Sequence, residues 1–173
     1  MYYVALIPPP PVSGDVLKWK KWMEDRFGCV VAQRSPAHVT LIPPFWMKED
    51  LEPALLESLS RFASARDPFP LRLNRFGHFR PRVIYLNVEP APELSSLRTD
   101  LFTALFNFPV PHIGNDFTPH VTIATRDLRK KDFSEAWDRF NNMNYDKVWL
   151  CCDISLLRHN KKKWDVIATP QFR

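Results

Sequence analysis

At 173 residues, 45% hydrophobic and 13% aromatic, the chain can bury a sizeable core in one domain and is too apolar to be disordered. A net charge of +5 favours an anionic partner without naming one. Cys29, Cys151 and Cys152 form neither a disulfide framework nor a C-x-x-C metal pair, and no stretch reaches the roughly 20 apolar residues of a membrane span. The amino-terminal run lacks a basic leader, so a cytoplasmic protein is expected.

Residues 2 to 7 read as a strand buried on both faces, ended by the stiff connector "PPPP" at 8 to 11. Ser13 is placed to cap a helix with Val16, Trp19, Met23 and Phe27 on its inner face and Gly28 as its stop. A strand carrying His38 follows. A second helix starts at Asp50, with Leu51, Leu55, Leu59 and Phe62 inward. "FPLRLNRFGHF" and "RVIYLNVEP" read as strands around a turn near Arg80-Pro81. The third helix is expected from Pro92 to Phe108, and the fourth around Phe133, Ala136, Trp137 and Phe140. Two long strands, "KVWLCCDISLLR" and "KKWDVIATP", finish the chain across the turn "HNKKK".

Each half of this order runs helix, His-Val-Thr strand, helix, strand pair, and the two histidines lie 82 residues apart. The expected fold is therefore α+β: one bilobal domain over 1–173 with two pseudo-symmetric halves, its two antiparallel sheets facing a central cleft with helices outside.

The repeated element is "SPAHVTLIPPF" (35–45) against "FTPHVTIATR" (117–126). Five His and seven Thr in this chain would give roughly 0.2 His-x-Thr triplets by chance, against the two observed. In a strand, residues two apart share a face. His38, Thr40 and Ile42 are expected to face one side and Val39 and Leu41 the other; His120 and Thr122 likewise oppose Val121 and Ile123. The apolar set suits a core, and the histidine–threonine set suits the cleft. One imidazole can accept a proton while a second donates one, and threonine hydroxyls can hold phosphoryl oxygens. Two imidazoles flanking one phosphorus fit an in-line displacement. Neither motif offers a carboxylate or second histidine at ligand spacing, so no metal site and no cofactor are expected.

These motifs resemble the paired signatures of the two-histidine phosphoesterase superfamily, in its 2′-5′ RNA ligase-like, RNA 2′,3′-cyclic phosphodiesterase branch. "HVTL" and "HVTI" both fit its pattern of His, any residue, Thr or Ser, then an apolar residue. "FGHFRPRVIYLNV" and "ISLLRHNKKKWDVI" are similar to the family's later strands and final hairpin. The resemblance implies a cleft lined by His38, Thr40, His120 and Thr122, with His38 and His120 as acid and base. It also implies metal-independent opening of a cyclic phosphate or cleavage of a 2′-5′ phosphodiester. Arg126 sits one residue later than in close relatives, which alternation would send to the other face unless the strand bends.

Tyr85 alternates with Ile84 and Leu86 and is a candidate for stacking on a base. Phe76 and Phe79 are candidates for an aromatic wall or for sealing the lobe junction. Arg72, Arg75, Arg80 and Arg82, with Lys161 to Lys163, are candidate phosphate contacts or ordinary solvated surface. His78 reads as accessory or superficial, and His112 and His159 as solvated. The expected partner is an RNA end or nucleotide bearing a cyclic phosphate, with joining of RNA ends as a minor reverse reaction. No membrane and no obligate protein partner are indicated, and a monomer is expected. A nucleotide- or RNA-binding module without useful catalysis is the rival reading, and a scaffold using the proline-rich segment a third.

Overall fold

In the computed structural model, which describes every residue except Ile113 and Asn115, the first apolar run is strand β1 (Tyr2–Leu6), buried throughout. Helix α1 (Pro10–Phe27) begins earlier than Ser13. Pro10 and Pro11 occupy its first turn, where a missing N–H breaks no helical bond. Ser13 is thus inside the helix, and its Oγ donates back to the Pro9 carbonyl at 3.1 Å. Gly28 ends the helix at φ 71°, in the left-handed region that glycine tolerates best.

The remaining elements are β2 (Val39–Phe45), α2 (Glu52–Ser64), β3 (Phe69–Phe79), β4 (Val83–Val88), α3 (Pro92–Ala104), β5 (His120–Ala124), α4 (Phe133–Asn141), β6 (Asp146–Cys151), β7 (Ser155–His159) and β8 (Trp164–Ala168). The segment read as one strand, "KVWLCCDISLLR", is β6 and β7. It breaks at Cys152–Ile154, where Asp153 bridges instead to Gln171.

All pairings are antiparallel, and the strands form one sheet in the order β6-β3-β4-β5-β2-β1-β7-β8. This corrects the expectation of two separate sheets. Two four-stranded halves are joined at β2 and β5 through the single pair Val39–Val121. The half containing β1, β2, β7 and β8 draws on both ends of the chain, and the other half on its middle. β6 and β7, consecutive in sequence, lie in opposite halves.

One face of the sheet carries all four helices. Val4, Leu6, Val39, Leu41, Leu71, Ile84 and Val121 form a single core with Val16 and Met23 of α1, Leu55 and Leu59 of α2, Leu97 and Leu101 of α3, and Phe140 of α4. Burial at about 25 cal/mol per Å² of apolar area makes this layer the main stabilising term. On the opposite face, among the described residues, Tyr3, Ala5 and Leu157 form a small second cluster, with Ile7 and Trp164 packed on it. That uncovered face holds the polar residues of both repeated motifs.

Candidate active site

Val39 of β2 and Val121 of β5 are direct partners in antiparallel strands. Counting outward from this pair sets His38 opposite Thr122 and Thr40 opposite His120. Each histidine thus faces the other motif's threonine, and the imidazoles lie on a diagonal, where α-carbons are about 7–8 Å apart. Val39 and Val121 are wholly buried beneath, while the four polar residues are half-buried on the other face.

Alternation fails directly after each threonine, in the same way. Ala5 pairs with Thr40 but Val4 with Ile42, and Tyr85 pairs with Thr122 but Ile84 with Ala124. One extra residue, Leu41 or Ile123, therefore bulges into each motif strand. Ile42, expected beside His38, consequently packs in the helix-side core with Leu41.

Each ring is tethered through one nitrogen. His38 Nδ1 lies 2.8 Å from the Pro36 carbonyl, and His120 Nδ1 lies 2.7 Å from the Thr118 carbonyl. A carbonyl only accepts, so Nδ1 carries the proton in both rings and Nε2 is left as the base. Ser35 Oγ is 3.3 Å from His38 Nδ1 and is itself hydrogen-bonded to Tyr3 Oη. Each imidazole also packs at 5.0 Å against a tyrosine of the strand outside it, His38 on Tyr3 and His120 on Tyr85. Burial pushes His38 down to about 4, against the favourable Pro36 bond and with Lys20 and His120 disfavouring charge further. Burial also lowers His120 below the ordinary imidazole value, the Thr118 bond opposing it.

Two cavities open on this face. One, of 550 Å³, is lined by His38, Thr40 and Thr122 together with Tyr3, Lys20, Arg34, Ser35, Thr125, Arg126, His159 and Trp164. The other, of 320 Å³, is lined by Thr40, His120, Phe79, Arg98, Asp116 and Phe117. Thr40 borders both. Among the described residues no three His, Cys, Asp or Glu side chains gather where they could hold a metal ion.

A family model described as the 2′-5′ RNA ligase superfamily matches residues 8–163. The chain belongs to this superfamily. A protein of Oceanobacillus iheyensis named "Putative phosphoesterase OB1230" is 29% identical over 176 residues, covering 97% of this chain and 95% of its own. TT0787 of Thermus thermophilus superposes with a TM-score of 0.76 at 21% identity, over 99% of this chain and 97% of that one. E. coli LigT complexed with 3′-AMP gives 0.71 at 17%, with the same coverages. At these identities the likeness to the two solved structures is one of fold.

Within this superfamily framework the sequence-selected residues divide. Tyr85 stands beside His120 and is buried under Phe79, whose ring lies 4.5 Å away. Arg126 lines the larger cavity with His38. The bulge at Ile123 turns Ala124 to the core and ends the strand, so the alternation that cast doubt on Arg126 stops before it. Phe76 is not brought to the histidines, which corrects its selection as a substrate contact. Its ring packs 5.0 Å from Trp19 and 5.2 Å from Phe140, on the helix side. The cause is an irregularity between Leu73 and Phe76, with Arg75 at φ 56°, which swaps the faces of β3 and leaves Gly77 and Phe79 toward the cleft. Arg72 is held by Asp146 at 2.6 Å, and neither it nor Arg75, Arg80 or Arg82 lines a histidine cavity. His78 packs on Phe133 and Trp137, away from the cleft.

Sequence reasoning missed Tyr3, Lys20, Ser35, Arg98, His159 and Trp164. Tyr3 carried the one available signal: in a strand buried on both faces its ring must lie on the motif side whenever Val4 is core. His159 ends β7 with its ring 4.9 Å from Trp164, bordering the His38 cavity rather than standing in a solvated loop.

Proposed function

We propose that the chain is a metal-independent phosphodiesterase that opens 2′,3′-cyclic phosphates at RNA ends or on small nucleotides, with cleavage of 2′-5′ phosphodiesters and reverse joining of RNA ends as lesser capacities. The reading rests chiefly on the diagonal pair of imidazoles, each tethered at Nδ1 and each facing the other motif's threonine. One Nε2 takes the proton of a water whose oxygen attacks phosphorus. The phosphorus–oxygen bond of the ring breaks on the opposite side, and the other Nε2, protonated, gives its proton to the departing ribose oxygen. Thr40 and Thr122 donate to the non-bridging oxygens as charge accumulates there. Phe79, backed by the buried Tyr85, on one side and Trp164 on the other offer aromatic surfaces for a base. Arg126 and Arg34 supply positive charge for a neighbouring phosphate.

That E. coli LigT binds 3′-AMP supports a nucleotide in the cleft, and the naming of the Oceanobacillus relative supports phosphoester chemistry. Among the described residues no helix is long and apolar enough to cross a membrane. We read the protein as acting alone in the cytoplasm, on RNA ends or nucleotides. The test incubates protein and EDTA with 2′,3′-cyclic mononucleotides and 2′-5′ dinucleotides and separates the products by chromatography. A phosphomonoester is expected, and His38→Ala and His120→Ala should each lower turnover at least 100-fold while melting cooperatively. Wild-type turnover in both variants would refute the catalytic assignment. Tight nucleotide binding without turnover over hours would leave a binding module.

A further inference from the structure

The two histidines match in ring tether and tyrosine neighbour, but among the described residues only His38 shares its tethering carbonyl with a buried cation. Lys20 lies among the buried residues of α1, only 4% exposed, beside the chain segment leading to His38. Its Nζ donates to the Ser35 carbonyl at 2.9 Å and to the Pro36 carbonyl at 3.4 Å. The Pro36 oxygen is the same atom that receives His38 Nδ1–H, so the ammonium and the imidazole share one acceptor and lie within about 6 Å of each other. No carboxylate pairs with Lys20 among the described residues, and it borders the His38 cavity. An ammonium withdrawn from water without a counter-ion is costly. Burial lowers Lys20 to about 8, which still leaves it mostly charged at neutrality. Among the described residues the tether of His120, the Thr118 carbonyl, receives no lysine, and the charged side chains lining its cavity are one of each sign, Arg98 and Asp116.

We infer that Lys20 is a positioning residue for His38: its ammonium pins the carbonyl that orients the ring, and its positive charge makes His38 the proton acceptor of the pair and His120 the donor. This rests on the phosphodiesterase reading above. A cation near an imidazole disfavours imidazolium, so the histidine beside Lys20 is the one kept free to accept the water proton. An incoming phosphate anion favours imidazolium at both rings, and the ring farther from Lys20 takes the proton at less cost. The other groups facing His38 are Tyr3 of β1, Arg34 of the preceding turn, His120 and Arg126 from β5 and its end, His159 of β7 and the amino group of Met1. None of them is a carboxylate, so none reverses the effect of Lys20.

The experiment compares Lys20→Gln, which removes the charge but keeps an amide donor, with Lys20→Met, which removes both. The pH profile of kcat/KM on a 2′,3′-cyclic mononucleotide is measured for each, after melts show that they fold. Two charges about 6 Å apart, taken between protein-like and water-like screening, correspond to a shift of about 0.5 to 2 pH units. Both variants should move the acidic limb upward by that amount. Lys20→Met should also lose about tenfold or more in kcat at its optimum, with KM little changed. Unmoved limbs, or movement of the alkaline limb alone, would overturn the inference. An NMR titration of the His38 ring in wild type and Lys20→Gln reads the same charge effect without turnover. A raised His38 pKa with no hydrolysis by either protein would sink the phosphodiesterase reading while leaving the Lys20–His38 coupling intact. An unchanged His38 titration would remove the coupling.

Discussion

Gly77→Ala adds one methyl group where the sheet has no room for it. Gly77 pairs with Tyr85 across β3 and β4, and the Tyr85 ring folds over the glycine. A Cβ built there would stand 2.5 Å from Tyr85 Cε2 and Cζ and 2.6 Å from Oη, where ordinary contacts begin near 3.4 Å. The ring must retreat by about 0.9 Å. Behind it stand Phe79 at 4.5 Å and His120 at 5.0 Å, so the displacement passes to the histidine. Gly77 does not have a positive φ, so alanine brings no backbone strain and the clash is the whole perturbation.

Overfilling a packed site costs about 1–3 kcal/mol, roughly 2–12 °C of melting temperature for a chain of this size. A shift approaching 1 Å beside a reacting group can cost up to about 100-fold. Gly77→Ala should therefore lower kcat/KM on the cyclic substrate by about 10- to 100-fold while the fold survives. Combining it with Tyr85→Leu, which deletes the clashing ring, should show coupling of at least about 1 kcal/mol in denaturant melts. A Gly77→Ala protein that melts and turns over like wild type would refute the proposed link from Gly77 through Tyr85 to His120.

Further outcomes follow from burial. Since His38 is pushed down to about 4 in the fold and an unfolded histidine titrates near 6.5, the unfolded chain binds the extra proton between those values, and stability falls as pH drops through that window. The loss reaches about 3 kcal/mol for His38, with His120 acting in the same direction, and should shrink in His38→Gln when denaturant midpoints are compared at pH 7 and 4.5. The same shifts put the kcat/KM maximum between about 4 and the lowered value of His120, so activity on free substrate should decline above the ordinary histidine range; an alkaline optimum would contradict the acid–base assignment. Phe76→Ala should cost about 2–4 kcal/mol in a urea melt, from contacts with Trp19, Phe140 and Tyr145, and leave kcat/KM within about threefold of wild type.

The parts of the site legible in the sequence are those a period of two can carry. His38–Thr40 and His120–Thr122 share a face because two residues separate the members of each pair, and Tyr85 joins them because Ile84 and Leu86 are core. What escaped reading depends on pairing between strands. Phe76 looked like a neighbour of the cleft until Arg75 adopted a positive φ and swapped the faces of β3. Nothing in the spacing of the first helix singles out Lys20; the fold of residues 31–36 back over α1 is what gives its ammonium the Ser35 and Pro36 carbonyls. The single sheet escaped for the same reason, since one pairing of Val39 with Val121 joins halves that neither strand's own pattern links.

The bulges after Thr40 and Thr122 explain why the motif is short. A strand that continued to alternate would send Ile42 to the histidine side and Ala124 beside Thr122, lining the cleft with aliphatic carbon. One extra residue on each strand returns two consecutive apolar side chains to the core, Leu41 with Ile42 and Ile123 with Ala124, all fully buried. The same step lets the chain leave β5 with Thr125 and Arg126 bordering the cavity of His38. The polar patch is thereby confined to two residues per strand around the Val39–Val121 pair, and cation, indole and tyrosine side chains from neighbouring elements complete its walls.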